Sequence, residues 1–293
     1  MKQSKPVIIF TIFNYAFLAF IALTCVVPFI NIIAISFSKN AAVVANYVKL
    51  WPVQFTSYAY EYILETPAFW RAFVVGIERV VLGCFINMVL IILTAYPLSK
   101  EKRQFKKRTV FAWFFFFTMI FSGGLIPLYA LILKLGLIDS IWALILPTAV
   151  PAFNVILMLN FFRQVPKELE EAAFIDGASH FRVLRSVYVP CSIPSIATIA
   201  LFNIVHHWNS WFDGLIYMNK TQNYPLQSYL VTVIKGLDFA TSASAGDYDR
   251  LKLLSDRTLK GAQIIIAVIP ILLVYPFLQR YFITGIVLGS VKG

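Results

Sequence analysis

The sequence predicts an all-α membrane protein with six transmembrane helices. Three observations carry that expectation. Hydrophobic residues make up 59% of the chain and charged residues only 13%, against roughly 25% charge in an ordinary soluble domain. The mean hydropathy is +0.76. The apolar residues also gather into blocks near the roughly 20 residues a helix needs to cross a hydrocarbon core about 30 Å thick. In chain order they run from about Val7 to Ser36, Ala72 to Leu98, Thr109 to Leu133, Ile141 to Phe162, Cys191 to Phe212 and Gly261 to Ile283. The polar segments between them are short, so residues 1–293 read as one polytopic domain. Within it lie a polar loop at 163–190 and a second at 213–260.

The first block is too long for the roughly 7–15-residue apolar core of a cleavable signal, and no Ala-x-Ala site follows, so it reads as an anchor. The second block carries Glu78 and Arg79 seven or eight residues in, about 10–12 Å along a helix. The third contains Ser122-Gly123-Gly124 and Pro127, and the fourth contains Pro147 and Pro151. Broken helices are tolerated in membranes where freed backbone groups face protein or water, so these positions read as hinges. The fifth ends in a run at once polar and aromatic, Asn203-Ile-Val-His206-His207-Trp208-Asn209-Ser-Trp211.

Orientation follows from lysine and arginine placement in short loops. Lys100, Lys102, Arg103, Lys106, Lys107 and Arg108 crowd the segment between the second and third blocks, which puts that segment and both termini in the cytoplasm. The same asymmetry accounts for most of the net charge of +11 and points to anionic membrane lipid as the partner, not nucleic acid. Cys25, Cys84 and Cys191 fall in or beside spans without Cys-x-x-Cys spacing and read as small core residues. No metal site is expected, because adjacent His206 and His207 point about 100° apart on a helix. No glycine is followed by lysine, so a Gly-x4-Gly-Lys phosphate cradle is absent and no catalytic constellation stands out.

The loop at 163–190 has helical punctuation. Pro166 suits a first turn, and Glu168, Glu170 and Glu171 fall where the helix dipole favours negative charge. Gly177 can take the left-handed conformation that ends a helix. Ser179 can cap a second helix, to which Phe181, Leu184 and Tyr188 give an apolar face. From these residues alone, two solvated helical turns on a surface loop and a docking handle are equal readings.

The string Glu171-Ala172-Ala173, three residues, Gly177, nine residues, Val187, one residue, Val189-Pro190 resembles the cytoplasmic "EAA" signature of permease subunits in binding-protein-dependent ATP-binding-cassette importers. Phe121-Ser-Gly-Gly-Leu-Ile-Pro127, Trp142-Ala-Leu-Ile-Leu-Pro147, Trp208-Asn-Ser-Trp-Phe212, Tyr224-Pro-Leu-Gln227 and Gly289-Ser-Val-Lys-Gly293 resemble its carbohydrate branch, closest to oligosaccharide and alginate permeases.

That resemblance implies a type I importer permease in the bacterial cytoplasmic (inner) membrane. It implies as partners a second, homologous permease, two ATPase subunits, an extracytoplasmic solute-binding protein and an oligosaccharide. The chain itself would be no enzyme and bind no cofactor; ATP and Mg²⁺ would be used by the ATPase. Glu168, Glu170, Glu171, Ala172, Ala173, Asp176, Gly177, Phe181, Arg182 and Arg185 would couple to the ATPase, with the tail Gly289 to Gly293 reaching the same partner or simply fraying. Segments Ser38 to Trp70 and Asp213 to Lys260, the latter with the polar run Thr241 to Asp249, would meet the binding protein.

Sugars are held by hydrogen bonds to hydroxyls and by aromatic faces. Asn203, His206, His207, Trp208 and Asn209 are therefore the expected lining of the substrate path, with Asn154 and Arg79 as further candidates. Each has a structural alternative: Trp208 and Trp211 as an interfacial belt, Asn154 as a helix-to-helix hydrogen bond, Arg79 as a structural pair or a snorkelling side chain. A secondary carrier or channel without an ATPase is the rival function. It needs an intramembrane ion or proton relay, for which Glu78 is nearly the sole carboxylate.

Overall fold

The computed structural model describes residues 5–234 and 256–290. The polar run Thr241 to Asp249 and the last three residues of the tail lie outside them. The described residues form helices α1 (Lys5–Ser36), α2 (Asn40–Val44), α3 (Tyr58–Glu65), α4 (Pro67–Ser99), α5 (Arg108–Ile120), α6 (Leu125–Lys134) and α7 (Ile141–Ile145). They continue with α8 (Ala152–Phe162), α9 (Lys167–Ile175), α10 (His180–Val183), α11 (Val189–Cys191), α12 (Ile193–Asn209), α13 (Phe212–Tyr217), α14 (Leu226–Ile234) and α15 (Asp256–Ser290). A π-turn, Leu184–Tyr188, joins α10 to α11.

Three described helices, in α1, α4 and α15, are long and apolar enough to cross a membrane, and the count reaches six if each of three bent pairs is one span. The all-α, six-block reading therefore holds, with the third and fourth blocks broken at the expected hinges and the fifth entered through a bend. The third block, Thr109 to Leu133, is α5 and α6, bent by 110° at the expected hinge. The cause is local. Phe121 leaves the helix in an extended conformation, and Gly124 sits at φ +88, which a residue with a Cβ adopts only with strain. Pro127 falls in the first turn of α6, where its missing N–H costs no internal bond. The fourth block bends by 49° across the Pro147 and Pro151 region, and the fifth by 84° at Ser192, between Pro190 and Pro194.

The chain divides into two compact units. The first is Met1–Phe69 with Thr232–Ile269, the second Trp70–Val231 with Pro270–Gly293. In the first unit α1 is apolar on all sides and its large side chains are mostly exposed within the chain, as befits a helix whose solvent is lipid or another subunit. Its C-terminal end is fixed by Ser36 Oγ 2.8 Å from Tyr60 OH, by Ser38 Oγ donating to Ala34 O, and by Phe37 stacked on Tyr60. Gly261 of α15 approaches the same end: a Cβ there would lie 3.4 Å from Ile32 O.

In the second unit a buried cluster among the described residues contains Ile91, Ala95, Tyr96, Val155, Met158, Phe162, Val183, Leu184, Tyr188 and Ile199. It gathers the ends of α4, α8 and α12 around the α10 segment. The cysteine expectation fails in part, since Cys25 and Cys191 are exposed and only Cys84 is half-buried.

Candidate functional site

The loop between α8 and α12 folds as two short helices about Gly177. Pro166 takes the N-cap position of α9. Gly177 has φ +76, and a Cβ there would touch nothing within 4 Å, so backbone conformation and not space selects glycine. Its N–H donates to Phe174 O, Ala178 N–H donates to Ala173 O, and the left-handed turn closes α9. Ser179 Oγ accepts from Arg182 N–H and caps α10. The π-turn widens the helix just before Pro190, which has no N–H to give the preceding turn.

Glu168, Glu171, Ala172, Asp176, Gly177, Arg182 and Arg185 are exposed, and Ala173 is half-buried. Exposed Ile175 (86%) and Phe181 (66%) stand among them. Phe181 thus departs from the expected apolar face: Leu184 and Tyr188 pack inward while Phe181 points to solvent. The result is a mixed apolar and charged surface on a short rigid helix pair.

Glu170 alone of the three glutamates turns inward, where it joins α9 to the end of α4. It accepts from Lys100 Nζ at 2.8 Å through Oε1 and from the Tyr188 hydroxyl through Oε2. Lys100 Nζ lies 4.0 Å from the centroids of both the Tyr96 and Tyr188 rings, and both members of the ion pair are buried. Burial pushes the Lys100 ammonium below its ordinary range, and Glu170 acts in the opposite sense. Tyr96 OH lies 3.3 Å from His180 Nδ1, tying α10 to the same point. A second, exposed pair, Lys167 with Glu101, bridges the same segments, and the Lys167 ammonium holds the Glu101 carboxyl below its usual range.

The expected path residues divide sharply. On α4, residues 79, 83 and 87 recur at every turn, and each meets a polar partner on α12 or just beyond it. Arg79 is fully buried and makes a two-pronged pair with Asp213, with Nη1 also 3.2 Å from Ser210 O. Gly83 admits His207: a Cβ would come 2.5 Å from its Nε2. Asn203 Oδ1 accepts from Asn154 Nδ2 at 2.8 Å and from Asn87 Nδ2 at 3.3 Å. Trp208 is buried edge-on to Phe73. For Arg79 and Asn154 the structure thus realises the structural alternatives. Of the candidates only His206 and Asn209 are exposed, at the end of α12 beside exposed Trp211.

At the far end of α6, Asp139 adopts φ +62 and its carboxylate accepts from the N–H groups of Asn219 and Lys220. These bonds, the Lys220 N–H first, hold its carboxyl below the usual range.

A family of binding-protein-dependent transport system inner membrane components matches residues 6–287. The chain belongs to this family of permeases. Among its relatives, the polygalacturonan/rhamnogalacturonan transport system permease protein YtcP of Bacillus subtilis (strain 168) is 41% identical over 288 residues, covering 97% of this permease and 99% of that protein. Protein LplC of the same organism is 41% identical over 295 residues, covering 100% and 98%. A chain of a bacterial ABC transporter involved in import of the acidic polysaccharide alginate superposes with a TM-score of 0.87 at 34% identity, covering 96% of the permease and 99% of that chain. The family resemblance, the all-α fold and the inner-membrane permease class read from the sequence are thereby shown.

Sequence reasoning about the permease missed the Lys100–Glu170–Tyr188 cluster, although a signal was present. Glu170, Ala173 and Phe174 stand at i, i+3 and i+4, so a glutamate shares the packed face of α9 and calls for a buried cation. Among the described residues no group of three or more His, Cys, Asp or Glu side chains could hold a metal ion.

Proposed function

We propose that the permease forms, with a second homologous permease, the path by which an oligosaccharide delivered by an extracytoplasmic solute-binding protein crosses the inner membrane. ATP and Mg²⁺ are used on two separate ATPase subunits. The observation that carries this reading is the α9–Gly177–α10 pair, which presents an exposed mixed surface and is fastened to the end of α4 through Glu170 and Lys100. A subunit docked on Glu168, Glu171, Ala172, Ala173, Asp176, Phe181, Arg182 and Arg185 would move α9 and, through the buried pair, α4. Arginines at this surface suit charge-assisted contacts with a partner. Gly177 sets the angle between the two helices, and Glu170 acts as the internal fastening.

On the substrate side, exposed His206 and Asn209 with Trp211 offer the hydrogen-bonding and aromatic groups that sugars use. Arg79, Asn154, Asn203, His207 and Trp208 hold α4, α8 and α12 together behind them. An acidic oligosaccharide is supported by the similarity to the alginate importer and to YtcP. Both termini cytoplasmic is the orientation supported by the basic segment 100–108.

The test is to purify the permease with its natural partners and measure ATP hydrolysis with empty and sugar-loaded binding protein. Stimulation by the loaded form supports the proposal. A purified complex with no ATPase, or hydrolysis indifferent to the binding protein, overturns it.

A further inference from the structure

We infer that the cleft between α5 and α8, at the end of the second unit that carries residues 100–108, binds the headgroup and upper acyl chain of an anionic glycerophospholipid. The cleft encloses about 320 Å³ and is lined by Arg108, Trp113 and Phe116 of α5 and by Ile156, Asn160 and Arg163 of α8 and its end. That volume falls within the roughly 300–1,000 Å³ of small-molecule sites.

Its chemistry is graded along its length. Both guanidiniums stand at one end, and no carboxylate lines the cleft. Arg108 Nη1 donates to Lys100 O at 2.8 Å, which fixes that guanidinium while leaving it further donors. Partial desolvation, and then the like charge of Arg108, push Arg163 below its ordinary range, so the two guanidiniums stand close enough to feel each other. The N-terminus of α5 has no acidic residue in its first turn and no side-chain cap, which adds the positive end of a helix dipole to the same spot.

Phe116 and Ile156 lie at the other end, about 10–12 Å deeper at 1.5 Å per residue. Trp113 lies between, an indole of the kind enriched where headgroups meet acyl chains. A phosphodiester between two arginines, with its acyl chain running along Phe116 and Ile156, fits this gradient. A soluble anion would leave the apolar half unused. Which leaflet the cleft faces rests on the orientation proposed above; the site itself does not.

The test uses the purified full chain in mixed micelles, with quenching of Trp113 fluorescence by dibrominated phosphatidylglycerol or by dibrominated phosphatidylcholine of the same acyl chains. The Trp113 signal is the difference from Trp113→Phe. Phosphatidylglycerol is expected to quench at about thirtyfold lower mole fraction, the factor that two lipid-facing arginines supply. Arg163→Gln, a change at an exposed residue, should remove most of that preference, and Arg108→Gln/Arg163→Gln all of it. Equal quenching by the two lipids overturns the inference, as does a preference that survives both variants. Weak quenching by either lipid, with Trp113→Cys cross-linking to a second permease chain, shows protein in the cleft and also overturns it. None of these readings depends on ATP or sugar, so their failure is separable from failure of the proposed function.

Discussion

Glu170→Gln tests whether the fastening between α9 and α4 is real. The substitution keeps the side-chain volume and leaves the buried Lys100 ammonium without an opposite charge. Removing one partner of a buried pair costs about 3–5 kcal/mol. Two features reduce that here. The amide oxygen still accepts one hydrogen bond, and Lys100 keeps both aromatic faces at 4.0 Å, each worth about 0.5–2 kcal/mol. A destabilisation of about 2–3 kcal/mol is expected. Lys100→Met should cost a similar amount, by stranding the carboxylate with the Tyr188 hydroxyl as its remaining partner. The double change Lys100→Met/Glu170→Gln removes both charges of the pair and should cost less than the two single changes together. The assay is reversible unfolding of the purified chain by sodium dodecyl sulfate in mixed micelles, followed by circular dichroism, as a double-mutant cycle. Additivity within about 0.5 kcal/mol would mean that the two residues act independently and would refute the reasoning.

Other substitutions probe the turn, the seam and the open face. Gly177→Pro imposes φ near −65° on a residue at φ +76. It should leave membrane insertion intact while ATP hydrolysis is uncoupled from uptake, and wild-type uptake would count against the coupling role. Gly83→Ala places a Cβ against the buried His207 ring and should destabilise by about 1–3 kcal/mol. His207→Ala in the same chain should recover part of the loss, and the same unfolding assay reads both. His206→Ala and Asn209→Ala should lower apparent affinity for the transported sugar in uptake assays with little loss of stability. Asn203→Ala should do the reverse, since it strands Asn154 and Asn87 in the interior. The Asp139 carboxyl titrates below its unfolded value, so its clamp contributes stability above the unfolded pKa and loses it as pH falls through the folded one. Limited acid-stable proteolysis should therefore cut near Lys220 only at the acidic end, and Asp139→Asn should be cut at neutral pH.

The parts legible in the sequence are those set by local chemistry. The left-handed Gly177, the Ser179 cap and the breaks near Gly124 and Pro151 follow from backbone rules that act within a few residues. Inside and outside were harder to read, because lipid and protein interior are equally apolar. Cys25 and Phe181 look like core residues by type yet are exposed, and α1 has no polar stripe to reveal its facing. The inward turn of Glu170 and Arg79 depends on Lys100 and Asp213, distant in the chain, so the residues suggest a partner without naming it. Polarity in the fifth block marked a region of polar contacts, but it could not separate the seam residues Asn203 and His207 from the exposed residues His206 and Asn209.

The central claim is that energy enters this chain from ATP hydrolysed on another subunit. The most direct measurement is oligosaccharide uptake into proteoliposomes holding the permease and its partners, with loaded binding protein outside, ATP inside and no ion gradient. Uptake that requires ATP and is lost with Gly177→Pro is predicted. Uptake by the permease alone, driven by an ion gradient without ATP, would contradict the account.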